Sequence, residues 1–221
     1  MTRVACLTRE DPPENFPPVS QALREPPGLL AIGGDLSPQR LAAAYSRGIF
    51  PWYSEGEPLL WWSPDPREVL IPAEFHRSRR LARRLRSGVF RMTQDTAFAQ
   101  VISACATARM QGTGTWITAE MRAAYIELHR LGRAHSIETW EGDELVGGLY
   151  GVRSGRVFSG ESMFSLRDDA SKAALAWLVD CCPRLGIVLI DCQMPSAHLR
   201  SLGSRPMRRS QFVEFLDPEC R

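Results

Sequence analysis

Apolar residues along this chain change their spacing near residue 66. Before that point they come in short clusters broken by proline and glycine, as in Phe16-Pro17-Pro18, Glu25-Pro26-Pro27-Gly28 and Trp61-Trp62-Ser63-Pro64-Asp65-Pro66. Only one segment there has helical spacing. Ser37 can cap its first turn, Pro38 needs no amide hydrogen at the first helical position, Leu41 and Tyr45 share a face, and Gly48 stops it. From Arg67 onward regular elements follow one another: a strand at 68–71, a basic helix at 77–86, an amphipathic helix at 96–107 carrying Phe98, Val101, Ile102 and Cys105, and a helix at 119–131 ended by Gly132. Strands at 136–140, 145–152 and 156–159 are joined by the turn sequences Glu141-Gly142-Asp143-Glu144 and Arg153-Ser154-Gly155. A helix at 170–182, a strand ending at Asp191, and helices at 196–202 and 211–216 complete the chain. The pattern predicts an α+β protein with a small N-terminal domain at 1–66 and a larger one at 67–221. The second would hold a mixed, mostly antiparallel sheet flanked by helices.

Two polar clusters interrupt this apolar framework. The run Ile187-Val188-Leu189-Ile190 reads as a buried strand and closes in Asp191 and Gln193. Residues two apart on a strand share a face, so both side chains should point one way and Cys192 the other. A carboxylate and a carboxamide at the end of a central strand are costly to bury unless they are satisfied or used. Either they form a site, or Asp191 caps the turn toward Ser196 and Gln193 bonds backbone. Glu161, in Gly160-Glu161-Ser162-Met163-Phe164-Ser165, sits just past a predicted strand. Its alternative is an ion pair with Arg156 or another surface arginine.

Composition narrows the setting. The 221 residues carry a net charge of +2, yet Arg77, Arg79, Arg80, Arg83, Arg84, Arg86 and Arg91 occupy a stretch without an acid, and Lys172 is the only lysine. The first ten residues hold charges where a signal peptide needs an apolar core, and no run approaches the roughly 20 apolar residues of a membrane span. A cytoplasmic protein with no membrane partner is expected. The six cysteines form no CxxC pair and no histidine lies at zinc-ligand spacing, so reduced thiols and no metal site are expected.

The residues now in hand resemble the leucyl/phenylalanyl-tRNA-protein transferase family. The resemblance runs in order through Gly28 to Leu36, Arg47-Gly48-Ile49-Phe50-Pro51-Trp52, Leu60 to Arg67, Gly114-Thr115-Trp116-Ile117, Ala134 to Glu138, Leu145 to Gly151, Gly160 to Ser165 and Leu189 to Gln193. It implies a small N-terminal domain packed on a GNAT-like catalytic domain. It also implies transfer of leucine or phenylalanine, with methionine as a further donor, from aminoacyl-tRNA to proteins with N-terminal Arg or Lys, which marks them for N-degron degradation. No cofactor is implied. Acetyl-CoA is a poor donor candidate, because the connection Ser165-Leu166-Arg167-Asp168-Asp169-Ala170-Ser171 has no glycine and two adjacent acids where a pyrophosphate would need free N–H groups.

The resemblance gives the matching aspartate and glutamine roles in activating the acceptor amine. Basicity then assigns charge and proton acceptance to Asp191, and positioning to Gln193, whose amide oxygen is too weak a base. Glu161 either pairs with the acceptor's basic side chain or holds the donor's amino group. Leu149, Phe158, Leu175, Leu178 and Ile190 match the family's donor side-chain pocket. Trp52 and Trp116 lie in loop-like sequence and are candidates to stack on the terminal adenosine, while Trp61 and Trp62 suit packing better. Arg79, Arg80, Arg83 and Arg84 either bind tRNA phosphates or form a solvated helix face. Other readings of the same residues are an N-acyltransferase with another acyl donor and a non-catalytic RNA-binding module.

Overall fold

The computed structural model describes residues 4–110 and 115–216. Two sheets organise them. The first has four strands, β1 (Ala5–Leu7), β2 (Leu29–Gly33), β3 (Phe50–Pro51) and β4 (Leu60–Trp62), in the order β1-β2-β4-β3. Helix α1 (Pro38–Ser46) packs beside it, with the Ser37 hydroxyl accepting from the Arg40 amide as its sequence predicts. Trp61 is fully buried in this part, its indole donating to the Gly33 carbonyl at 2.9 Å and its ring edge-on to Phe16.

The second sheet begins at β5 (Arg67–Leu70) and includes β6 (Arg91–Gln94), β7 (Ala134–Glu141), β8 (Glu144–Ser154), β9 (Val157–Ser165), β10 (Leu189–Gln193) and β11 (Arg205–Met207). Its order is β11-β5-β10-β9-β8-β7-β6, antiparallel throughout except for the parallel pair β9–β10. That parallel pair needs a crossover, which α5 (Ala170–Leu185) supplies. The helix lies on one face over Leu149, Phe158 and Ile190, while α3 (Phe98–Met110) and α4 (Ala119–Arg130) cover the other, together with α1. Short helices α6 (Ala197–Ser201) and α7 (Arg209–Phe212) follow β10 and β11, and α2 (Arg79–Arg86) leans on α5. The mixed, mostly antiparallel sheet between helices is the expected α+β architecture. One hydrophobic cluster runs from Leu41 and Tyr45 of α1 through Tyr125 of α4 to Tyr150 of β8, so the N-terminal part completes the core on that face.

Several boundaries differ from the sequence-based expectation. Strand β9 does not stop at Ser159 but continues through the Gly160-Glu161-Ser162 segment, because β8 offers backbone partners along its whole length. The edge strands β6 and β11 were not expected, since Arg91-Met92-Thr93-Gln94 and Arg205-Pro206-Met207 lack the alternation of a half-buried strand.

Candidate active site

Two irregularities in neighbouring strands create the site. Strands β9 and β10 pair only from Leu189↔Val157 to Asp191↔Ser159, and β9 then runs on without that neighbour. Between β8 and β9 the register slips: Tyr150 faces Ser162 and Gly151 faces Gly160, which leaves Glu161 without a cross-strand partner. A bulge of this kind re-aims a side chain. Gly151 permits it, since a Cβ there would lie 2.2 Å from the Ser159 carbonyl oxygen.

A cavity of about 360 Å³ opens where the strands part. Leu149, Phe158, Leu175, Leu178 and Ile190 all line it and all are buried. Trp52 and Trp116 line the same cavity, and Trp52 is 40% exposed. The Trp52 backbone is held by the Trp62 indole, which donates to its carbonyl at 2.7 Å. Glu161, Asp191 and Gln193 complete the polar wall.

Asp191 and Gln193 both reach the cavity, as expected, but the strand is irregular between them. Gln193 has a positive φ of 60°, and β10 slips register against β5 between the two residues. Cys192 therefore also reaches the cavity rather than turning wholly away, but burial, with Asp191 adding to it, pushes its thiol far above the usual range. A thiol held in that form is a poor nucleophile.

Asp191 is fully buried and its carboxylate is saturated. Oδ1 accepts from Arg67 Nε at 2.7 Å and from the Gln193 amide at 2.9 Å. Oδ2 accepts from Arg67 at 2.7 Å and from the Ser159 hydroxyl at 3.1 Å. A carboxylate has about four lone-pair sites, and four donors fill them. The sequence reading makes Asp191 the proton acceptor; here its lone-pair sites are all occupied by donors of the protein. Part of the cap alternative holds, because Asp191 accepts the backbone amide of Gln193 in the turn after β10, while α6 is capped by Ser196 itself.

Glu161 is only 5% exposed, and no arginine pairs with it among the described residues. One oxygen accepts from Gln193 Nε2 at 2.7 Å and the other from the Tyr125 hydroxyl at 3.2 Å. Tyr125 is in turn in contact with the Tyr45 hydroxyl of α1. Burial pushes the Glu161 carboxyl up to about 7, and nearby Asp191 adds to the rise, against hydrogen bonds from Tyr45, Gln193 and Tyr125. Because the Gln193 amide nitrogen is committed to Glu161, its carbonyl oxygen is the group left to accept a hydrogen bond.

The arginine helix lies apart from the cavity, and acids distant in sequence reach it. Arg80 pairs with both Asp168 and Asp169 before α5, and Arg84 stands 3.7 Å from Glu141 and over the Phe90 ring. No ion pair is formed by Arg79, Arg83 or Arg86 among the described residues. The acid-free stretch seen in sequence is therefore half neutralised in space.

The matches to known proteins bear on what such a site acts upon. A family model described as leucyl/phenylalanyl-tRNA protein transferase matches residues 69–217, and one for the N-terminal domain of the same proteins matches residues 34–65. The chain belongs to the leucyl/phenylalanyl-tRNA protein transferase family. It is accordingly an aminoacyltransferase. Proteins named leucyl/phenylalanyl-tRNA–protein transferase are similar along most of its length. That of Aromatoleum aromaticum is 61% identical over 202 residues, covering 91% of this chain and 85% of that protein. That of Alkalilimnicola ehrlichii is 58% identical over 217 residues, covering 98% and 84%. Solved structures are more distant. A GCN5-related N-acetyltransferase from Kribbella flavida is 11% identical with a TM-score of 0.38, covering 74% of this chain and 58% of that one. L-PGS from Bacillus licheniformis is 10% identical with a TM-score of 0.42, covering 69% and 50%.

Within this family member, sequence reasoning passed over Arg67, Tyr45 and Tyr125 as parts of the site. Each is buried and meets Asp191 or Glu161 directly or through one hydroxyl. No local pattern marks them. Tyr45 and Tyr125 keep helical apolar spacing, and Arg67 stands just before the strand expected at 68–71. Only the tertiary packing turns their polar atoms inward.

Proposed function

We propose that this aminoacyltransferase moves leucine or phenylalanine, with methionine as a further donor, from tRNA to the α-amine of proteins that begin with Arg or Lys, marking them for N-degron degradation. The observation that carries the reading is one cavity combining an apolar lining with a buried carboxylate and carboxamide at its wall. Leu149, Phe158, Leu175, Leu178 and Ile190 give the donor side chain a place where apolar burial contributes about 25 cal/mol per Å². Trp52 and Trp116 offer flat surfaces for the terminal adenine.

The ester is already activated, so catalysis consists of alignment and one proton transfer. The acceptor nitrogen forms a bond to the donor's carbonyl carbon, the bond from that carbon to the ribose oxygen breaks, and the amine loses one proton. Gln193 holds an amine N–H through its carbonyl oxygen. Glu161 takes the proton: at about 7 its carboxyl is poised near neutral pH, and it already touches Gln193. The leaving ribose oxygen is protonated in turn, so the carboxyl is regenerated as a base. Asp191 serves by placement.

An acyl-CoA donor is disfavoured by the turn before α5, where Asp168 and Asp169 put negative charge at the helix start and are held there by Arg80 and Lys172. Incubation with a peptide beginning in Arg, offered phenylalanyl-tRNA or separately an acyl-CoA, tests the reading. Extension of the peptide by one phenylalanine from tRNA alone is expected. Acylation from CoA alone overturns it.

A further inference from the structure

Arg67 is the most enclosed cation near the cavity, and the transfer chemistry does not use it. It is 1% exposed and lies between the rings of Phe50 at 4.8 Å and Phe212 at 4.6 Å. Its three donor nitrogens all have partners. Two form the fork on Asp191, and the third donates to the Gly48 carbonyl at 2.9 Å, just beyond α1. One side chain thus joins the N-terminal part, β10 and α7.

The partner of this fork has a second task. Asp191 Oδ1 also accepts the backbone amide of Gln193, two residues on, and Gln193 is in the left-handed region where a residue other than glycine needs support. That backbone conformation sends the Gln193 side chain to Glu161. A rotated Asp191 would release the amide, and the carboxamide would no longer be fixed against Glu161.

We infer that Arg67 is a positioning residue for the transfer reaction: its fork orients Asp191, Asp191 pins the Gln193 backbone, and Gln193 is thereby aimed at Glu161 and the acceptor amine. The inference rests on the proposed roles of Gln193 and Glu161. It also makes the seating of the N-terminal part, through Gly48 and Phe50, a condition for an aligned amide. A lysine cannot replace this arginine, since a point charge reaches one carboxylate oxygen where the guanidinium holds both in plane.

The test is Arg67→Lys, which keeps a cation beside Asp191, combined with Asp191→Asn in a double-mutant cycle. The chain of contacts predicts that Arg67→Lys lowers the single-turnover rate by about 10- to 100-fold, with the donor KM changed less than about threefold. It further predicts that adding Asp191→Asn costs little more than Asp191→Asn alone, because both substitutions break one linkage. Hydrogen exchange at the Gln193 amide supplies a readout independent of activity, and it should accelerate in Arg67→Lys while amides of β8 stay protected. Should the lysine variant not fold, the neutral pair Arg67→Gln with Asp191→Asn replaces it, with the same loss of rate and of Gln193 protection expected. A normal rate with normal Gln193 protection overturns the inference, as does strict additivity of the two losses. If the unaltered protein transfers nothing, the functional reading fails, and the exchange measurement still decides whether Arg67 holds Gln193.

Discussion

Replacing Glu161 by glutamine should make the protein more stable and nearly inactive at once. The carboxyl is raised from 4.5 to about 7, burial being the main cause. A carboxyl raised in the fold favours folding while it is protonated, and that contribution is lost as pH climbs from the unfolded value toward the folded one. Such a rise, at 1.36 kcal/mol per pH unit, amounts to about 3 kcal/mol once pH exceeds 7. At pH 5 most of the buried carboxyls are still protonated, and the loss is only about 1 kcal/mol. Glutamine carries no charge at either pH, and its amide can meet both Gln193 and the Tyr125 hydroxyl, which can donate or accept. Glu161→Gln should therefore exceed the unaltered protein by about 3 kcal/mol at pH 8 and about 1 kcal/mol at pH 5. For a chain of this size that is roughly 6–12 °C in Tm at pH 8. Thermal and urea unfolding at the two pH values measure it. A variant less stable than its parent at pH 8, or a gain equal at both pH values, would refute the argument that burial of a charge sets the Glu161 ionisation.

Other consequences follow from the geometry. Gln193→Ala should lower the single-turnover rate by a factor that stays constant from pH 6 to 9, since orientation does not titrate, with donor KM nearly unchanged. Trp52→Ala should raise the donor KM by about 5- to 150-fold, the equivalent of 1–3 kcal/mol of stacking, with little effect on the rate at saturation. Reversing charge at Arg83, which has no ion pair among the described residues, should flatten the log–log salt dependence of tRNA binding by about 0.7–0.9 and leave an aminoacyl-adenosine donor unaffected. Arg80→Ala should change the slope much less, because Asp168 and Asp169 already hold that cation. Binding titrations at several salt concentrations separate the two.

What could be read from the chain alone depended on how local the determining physics is. Helix α1 was legible to within a residue or two because Ser37, Pro38 and Gly48 act on their own turn. The apolar residues of the cavity were legible as a group, through the resemblance, and the structure does bring Leu149, Phe158, Leu175, Leu178 and Ile190 to one wall. The contacts of the polar residues were not legible. Period-two alternation places Asp191 and Gln193 alike, yet a left-handed residue and a register slip give them different hydrogen-bond partners. The saturation of Asp191 depends on Arg67, 124 positions away, and the ionisation of Glu161 depends on burial under α1 and α4. The arginine helix shows the same limit: its neighbours in sequence carry no acids, whereas Asp168, Asp169 and Glu141 reach it from other elements.

The most direct test of the central claim is the single-turnover rate of phenylalanine transfer from tRNA to an Arg-initiated peptide, followed from pH 5.5 to 9 in the unaltered protein and in Glu161→Gln. If Glu161 accepts the proton, the parent rate rises through an ionisation at about 7, in addition to that of the acceptor amine near 8. The variant should be slower by at least about 100-fold at pH 7 and should retain only the amine's ionisation. A variant with a near-normal rate and an unchanged lower inflection would contradict the account.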